Sequence, residues 1–194
     1  MKKKIFLSFR PEFFRPILYD IKKYEYRKRF CKEPTTAYLY LSAPVQEVIG
    51  IMELGKPIDI PSKYEQYKNI PSISNRILKC IEGKEIFAIP IESLILFKNP
   101  VSISTLKEID SKFSVPRCYL NIEKFHDVYK YLSEQTLFDK VEFVNQHNKL
   151  YEDNFCMTCK EMELTEEFVK KDKYYTQESM YQIIKSGYIN NVNK

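Results

Sequence analysis

The sequence predicts an α+β chain: a small mixed β-barrel with short flanking helices, followed by a helical C-terminal appendage. Three observations carry this. Short runs of β-branched, aromatic and long apolar residues recur through the first hundred positions, separated by brief helical patterns. So many short strands bury their edges most simply by curling into a barrel. After Gln135 the composition turns polar and Asn-rich, which divides the chain into a barrel domain at 1–135 and an appendage at 136–194.

Ile5–Phe9 reads as the first strand. Pro11 suits the opening of a helix, where its missing N–H costs nothing. Phe13, Phe14, Ile17 and Leu18 give that helix an apolar stripe, and Pro16 within it implies a kink or restart. Tyr24–Phe30 follows as a strand with side chains on alternate faces, Glu25, Arg27 and Arg29 on one and Tyr24, Tyr26 and Phe30 on the other. Ala37–Ser42 and Gln46–Leu54 are the clearest strands, joined at Ala43-Pro44. Ser62-Lys-Tyr-Glu65 fits a capping box for a short helix. Ser74–Ile81 is a second helix, stopped at Gly83, and Ile86–Ile91 and Leu94–Phe97 return to strand. Val101–Ile109 supplies a helical turn, and Val115-Pro116 ends regularity. Ile122, Phe125, Tyr129 and Leu132 recur at helical spacing, so Ile122–Leu132 reads as an amphipathic helix. In the appendage Glu161–Lys173 is charged and helical. Met180, Ile183, Ile184 and Tyr188 give Tyr174–Tyr188 a weak period, read as a helix packing back onto the barrel.

The charge is unevenly spread. Residues 1–32 hold eleven Lys/Arg against three acidic residues, a net of +8 in a chain whose total is +5. Such asymmetry points to a polyanion-facing side. A basic edge strand guarded against aggregation has the same composition. The densest stretch is Asp20–Arg29, where Lys22, Lys23, Arg27, Lys28 and Arg29 surround Glu25. Five cysteines, odd in number and mostly isolated, suit a reducing cytoplasmic setting rather than a disulfide framework. The basic start breaks at Arg10 and Pro11, too early for a signal peptide, and no run approaches membrane-spanning length.

Cys156-Met-Thr-Cys159 has the spacing of half a zinc ribbon, with Leu164 and Phe168 following as in a knuckle-plus-helix pattern. No second Cys pair completes four ligands, and His147 and His126 lack finger spacing. Cys156 and Cys159 are thus the zinc candidates of a chain otherwise expected to need no cofactor. His126 sits beside an apolar stripe as an ordinary histidine. Cys31, Cys80 and Cys118 fall at element ends as small apolar fillers. No Ser-His-Asp spacing, phosphate loop or dinucleotide fingerprint occurs.

The N-terminal block resembles the ASCH family of PUA-like β-barrels. The family's signature G-x-K-x-x-E-x-R falls on Asp20, Lys22, Glu25 and Arg27. Leu7–Phe13 resembles the family's first strand and basic-Pro turn, and Tyr40–Val45 with Val48-Ile-Gly50 resembles its next two strands. Ile86–Ile89 and Val115–Tyr119 resemble its closing elements, so the likeness spans about residues 3–120. Asp20 replaces the signature glycine, and Asp is among the few residues that visit positive φ.

The resemblance implies a cleft for RNA or a nucleotide-like ligand, bound by Arg10, Lys22, Glu25, Arg27 and Ser42. In that role Lys22 supplies a point charge for phosphate and Arg27 a planar fork for phosphate or a base edge. Glu25 orients either cation, accepts a base amino hydrogen, or pairs with Arg27 to close the barrel mouth. The interleaved Tyr24, Tyr26, Tyr38 and Tyr40 offer stacking surfaces for unpaired bases. A binding module, regulatory or not, is the leading expectation.

The alternative is a hydrolase. Some ASCH-like proteins remove the N4-acyl group of modified cytidines with a Lys, a Thr and a Glu. Lys22 matches the Lys, Glu25 stands where the Thr is expected, and Glu65 is the candidate for the Glu. RNA cleavage is the other activity the resemblance suggests, with Lys22 stabilising charge and Glu25 taking a proton. The sequence leaves enzyme and binder both open and names no protein partner for the appendage. No membrane partner is expected.

Overall fold

β1 (Lys3–Phe9) and β3 (Thr35–Leu41) run parallel, and every other strand pairing is antiparallel. This computed structural model describes residues 2–138, 143–146 and 150–175. In chain order the remaining elements are α1 (Pro11–Leu18), β2 (Tyr24–Arg27), β4 (Glu47–Leu54), β5 (Ile58–Asp59), α2 (Tyr64–Tyr67), α3 (Pro71–Glu82), β6 (Phe87–Ser102), α4 (Ile103–Ile109), β7 (Tyr119–Asn121), α5 (His126–Ser133), β8 (Phe143–Val144), α6 (Cys159–Glu163) and α7 (Glu166–Tyr175). The sheet runs β2-β6-β4-β3-β1-β7, with β5 and β8 added to β6. It is the expected α+β class, a mixed sheet curled into a half-barrel with helices around it.

β6 makes the curl. Its start pairs β2, and its middle and end pair β4. Register shifts between Val48 and Gly50 and between Glu53 and Leu54 bend the ladder and raise its twist. A bent strand can serve both partners, so the two segments expected at Ile86–Ile91 and Leu94–Phe97 are one 16-residue strand. Gly50 permits the close approach at one shift, since a Cβ there would lie 2.3 Å from the Ile95 carbonyl oxygen.

Other boundaries also differ from the sequence reading. β2 stops at Arg27, opposite Phe87 where β6 begins, so Arg29 leaves the sheet and is exposed. Ser62 caps no helix: its Oγ donates to the Asp59 carbonyl at 2.7 Å, and a 3-10 turn at Pro61–Lys63 leads into α2. The capping box lies at Thr158 and Glu161 instead. The helix expected at Ile122–Leu132 is broken at Phe125, which leaves helical geometry to pack edge-on against Phe113. Val101 and Ser102 finish β6, and Ser102 then caps α4 through the Thr105 N–H at 3.1 Å.

Strand alternation buries both faces of the sheet. Ile5, Leu7, Leu39 and Leu41 pack under α1 with Phe14 and Ile17. Phe6, Tyr38, Tyr40 and Phe97 pack on the opposite face with Phe113, Val128 and Leu132. A third cluster joins Tyr24, Ile60, Tyr67, Ile77 and Ala88 to Phe155 and Cys156. The described part of 136–194 therefore lies on the barrel. Met162 and Phe168 enter the first cluster, Asp172 pairs with Arg15, and the Tyr151 N–H donates to the Tyr24 hydroxyl at 2.8 Å. The periodic stretch from Met180 to Tyr188 lies outside the described residues, as does His147. No helix among the described residues is long and apolar enough to cross a membrane.

Phe155 is fully buried edge-on against Tyr24, 5.4 Å between ring centroids. Phe155→Ala is expected to cost about 3–5 kcal/mol of a single cooperative unfolding transition in urea, as for any large aromatic removed from a core. A separate low-denaturant transition for the appendage would contradict that. Burial pushes Tyr24 and Tyr38 up to about 12. A raised folded value stabilises fully below the unfolded tyrosine value of about 10. That contribution then disappears as pH climbs through the folded value. The Tyr24 and Tyr38 share of the tyrosinate absorbance should accordingly rise together with loss of secondary structure, not ahead of it.

Candidate functional site

The site begins with how α1 ends. Asp20 has φ 56, the left-handed conformation that commonly terminates a helix, and its N–H donates to the Ile17 carbonyl at 2.8 Å. The aspartate thus does what the signature glycine would do. The Ile21 and Lys22 N–H groups both donate to the Pro16 carbonyl at 2.9 Å. This turn sends Lys22 and Lys23 to different partners. Lys23 pairs with Asp20 at 2.7 Å and donates to Asn145 at 2.9 Å, while Lys22 turns into the barrel mouth.

There Lys22, Glu25 and Arg27 form one line of charge. Lys22 Nζ lies 2.7 Å from one Glu25 oxygen, and Arg27 Nε lies 2.8 Å from the other. Lys22 is 5% exposed and Glu25 6%. The Arg27 Nε–H points off the carboxylate, so the contact is an ion pair rather than an aligned hydrogen bond. One Arg27 terminal nitrogen donates to the Ser8 carbonyl at 3.3 Å. That bond joins β2, one edge of the sheet, to β1, the strand beside its other edge. Phe30 against Tyr119 of β7, 5.0 Å between centroids, crosses the same seam. The Phe9 ring lies under both cations, 5.7 Å from Lys22 and 5.5 Å from Arg27.

A cavity of about 510 Å³ opens over this line. Ser8–Arg10 and Phe13 form one side, and β2 contributes Glu25–Arg27 below. Cys80 and Glu85 border it on a third side, and Arg117 and the segment Cys156–Lys160 complete the wall. Of the expected ligand-binding set, Arg10, Lys22, Glu25 and Arg27 meet here. Ser42 is not among the lining residues; its N–H donates to the Phe9 carbonyl. Glu65 is exposed on α2, paired with Lys68, and does not reach the cavity.

Three of the four interleaved tyrosines lie in the core, and Tyr26 alone of them borders the cavity. Tyr24, Tyr38 and Tyr40 are buried in two apolar clusters, and the Tyr26 hydroxyl accepts from the Cys156 N–H at 2.7 Å. Alternating aromatics on a sheet with two covered faces are core, whichever face they take. His126 is exposed at the start of α5.

The sequence reading missed Glu85, Arg117, Met157 and Lys160. Arg117 follows a proline that ends regular structure, and Lys160 follows a cysteine pair that reads first as a metal motif. The one local signal for this wall was Thr158-x-x-Glu161, a capping box that fixes where α6 begins. Burial pushes the Cys159 thiol above its ordinary range. Cys80 is pushed up by its hydrogen bond with Cys156 and then by burial. Among the described residues no three His, Cys, Asp or Glu side chains gather as a metal site.

No protein-family profile matches the chain, and no curated protein matches it. Solved structures do. The crystal structure of ASCH from Zymomonas mobilis is similar with a TM-score of 0.50 and 24% identity, covering 69% of this chain and 96% of that one. A point mutant of the Zymomonas protein gives 0.50 and 24% over 70% of this chain and 98% of its own. A second mutant gives 0.50 and 23% over 70% and 100%. The fold is that of an ASCH domain, as the sequence resemblance implied.

Removing Glu25 leaves the buried Lys22 and the half-buried Arg27 without the carboxylate they share. Glu25→Ala should therefore destabilise the protein by about 3–5 kcal/mol in chemical denaturation, the usual cost of breaking a buried pair from one side. Replacing Lys22, Glu25 and Arg27 together by apolar residues should cost much less.

Proposed function

We propose that this protein is a cytoplasmic RNA- or modified-nucleotide-binding module of the ASCH type, and that its ligand enters the cleft above Lys22, Glu25 and Arg27. A fold hosts many activities, so the reading rests on the site. The observation that carries it is Arg27. Its polar contacts among the described residues are to Glu25 and Ser8, and its face lies over Phe9, which leaves further N–H donors beside a cavity also lined by Phe13 and Met157. A planar fork over apolar walls suits the edge and face of a base. The five cysteines are all unpaired, in keeping with a reducing compartment, and the reading needs no cofactor.

A hydrolase acting on RNA or an acylated nucleoside is the second reading, and one observation favours it. Glu85 brings a second carboxylate to the cavity wall. Glu25 suits proton transfer poorly because Lys22 and Arg27 occupy both its oxygens. Product from N4-acetylcytidine or from labelled single-stranded RNA, lost in Glu85→Gln, would select the hydrolase.

For the binding reading, affinity for short single-stranded RNA or for nucleotides should fall with added salt. Arg27→Lys, which keeps the charge and loses the fork, should weaken binding roughly tenfold. Fluorescence anisotropy or calorimetry measures both. Binding that ignores salt and Arg27 alike would defeat the proposal.

A further inference from the structure

Interior and rim of the cleft carry charge in different states. Inside, Lys22 and Arg27 share the Glu25 carboxylate, leaving a net of one positive charge spread over a buried line. At the rim, Arg10, Arg117 and Lys160 are exposed. Arg117 and Lys160 have no ion-pair or hydrogen-bond partner among the described residues, and Arg10 meets only Glu12, loosely, at 3.7 Å. A phosphate placed on Lys22 would give up its hydration and sit beside the Glu25 carboxylate 2.7 Å from the same ammonium. A phosphate at the rim keeps water on one side and meets cations of which only Arg10 is paired, to Glu12, although Glu85 also lines the cavity.

We propose that Arg117 and Lys160, with Arg10, form the phosphate subsite of this cleft, and that the ligand is a free nucleoside monophosphate. Its base lies over Arg27 and its terminal phosphate lies at the rim. The inference rests on the nucleotide-binding reading above and assigns it a ligand class and a polarity. A terminal phosphate carries close to two negative charges at neutral pH, which suits three cations lining one cavity better than the single charge of a phosphodiester. The cavity of about 510 Å³ lies within the range of small-molecule sites. Phe9, Phe13 and Met157 supply the apolar wall a base needs. This wall depends on Cys156–Lys160, so the phosphate subsite is contributed in part by the C-terminal segment and not by the signature strand.

The test is calorimetric titration of the full chain with the four common ribonucleoside 5′-monophosphates, their nucleosides and a short single-stranded RNA without terminal phosphates. At least one monophosphate should bind roughly tenfold or more tightly than its nucleoside. The double variant Arg117→Ala/Lys160→Ala should lose that preference, its affinity for the monophosphate falling to that for the nucleoside. Both residues are exposed, and an unchanged thermal melt will show that the double variant is folded. A preference that survives in the double variant, or equal binding of nucleoside and monophosphate, overturns the inference. RNA binding without monophosphate binding also overturns it and leaves the broader reading intact. Binding of none of these removes both.

Discussion

One buried carboxylate shared by two cations holds the mouth of this barrel together. Glu25 is desolvated on β2, and a lone carboxylate there would cost several kcal/mol. It is tolerated because the left-handed turn at Asp20 aims Lys22 at one oxygen while strand alternation brings Arg27 to the other. Arg27 then reaches the Ser8 carbonyl across the gap between the sheet's edges. Asp20 ends a helix, and Lys22, Glu25 and Arg27 then anchor a short strand, close a seam and floor a cavity. A pair kept for stability alone could be replaced by well-packed apolar groups, since a buried ion pair is rarely the most stable choice. Its position beneath the cavity is what argues for a ligand.

Much of this was legible in the sequence. The aspartate in place of glycine announced a turn with positive φ, and the Lys-x-x-Glu-x-Arg spacing placed three charges within reach of each other. What local patterns missed was decided by partners far away in the chain. β2 ends where β6 begins, a limit no residue between Lys28 and Phe30 records. β6 reads as two strands because polar Glu92 and Ser93 interrupt its apolar run, yet ladder bonds to β4 and β8 carry it through. The tyrosines read as accessible because alternation assumes one solvated face, and here helices and the C-terminal segment cover both.

The cysteine pair teaches the same lesson at smaller scale. Cys156-Met-Thr-Cys159 has metal spacing, but the four positions serve different ends. Cys156 takes a left-handed φ of 57 and turns beneath Tyr26, Thr158 caps α6, and Cys159 opens that helix. A strained non-glycine residue persists only where its surroundings fix it, and here Tyr26 and Cys80 do so. The motif is better described as the corner that brings Met157 and Lys160 to the cleft.

The bond from Tyr151 to Tyr24 spans 127 positions. A short two-sided strand such as β2 buries its outer tyrosines only after that distant segment arrives, and loops of such length close slowly. During synthesis the first sheet can pair while this edge stays open. The barrel mouth is then the last part to mature, and a growing chain exposes an unfinished, cation-rich edge until its C-terminal segment emerges. The segment that walls the cleft and the segment that finishes the fold are the same.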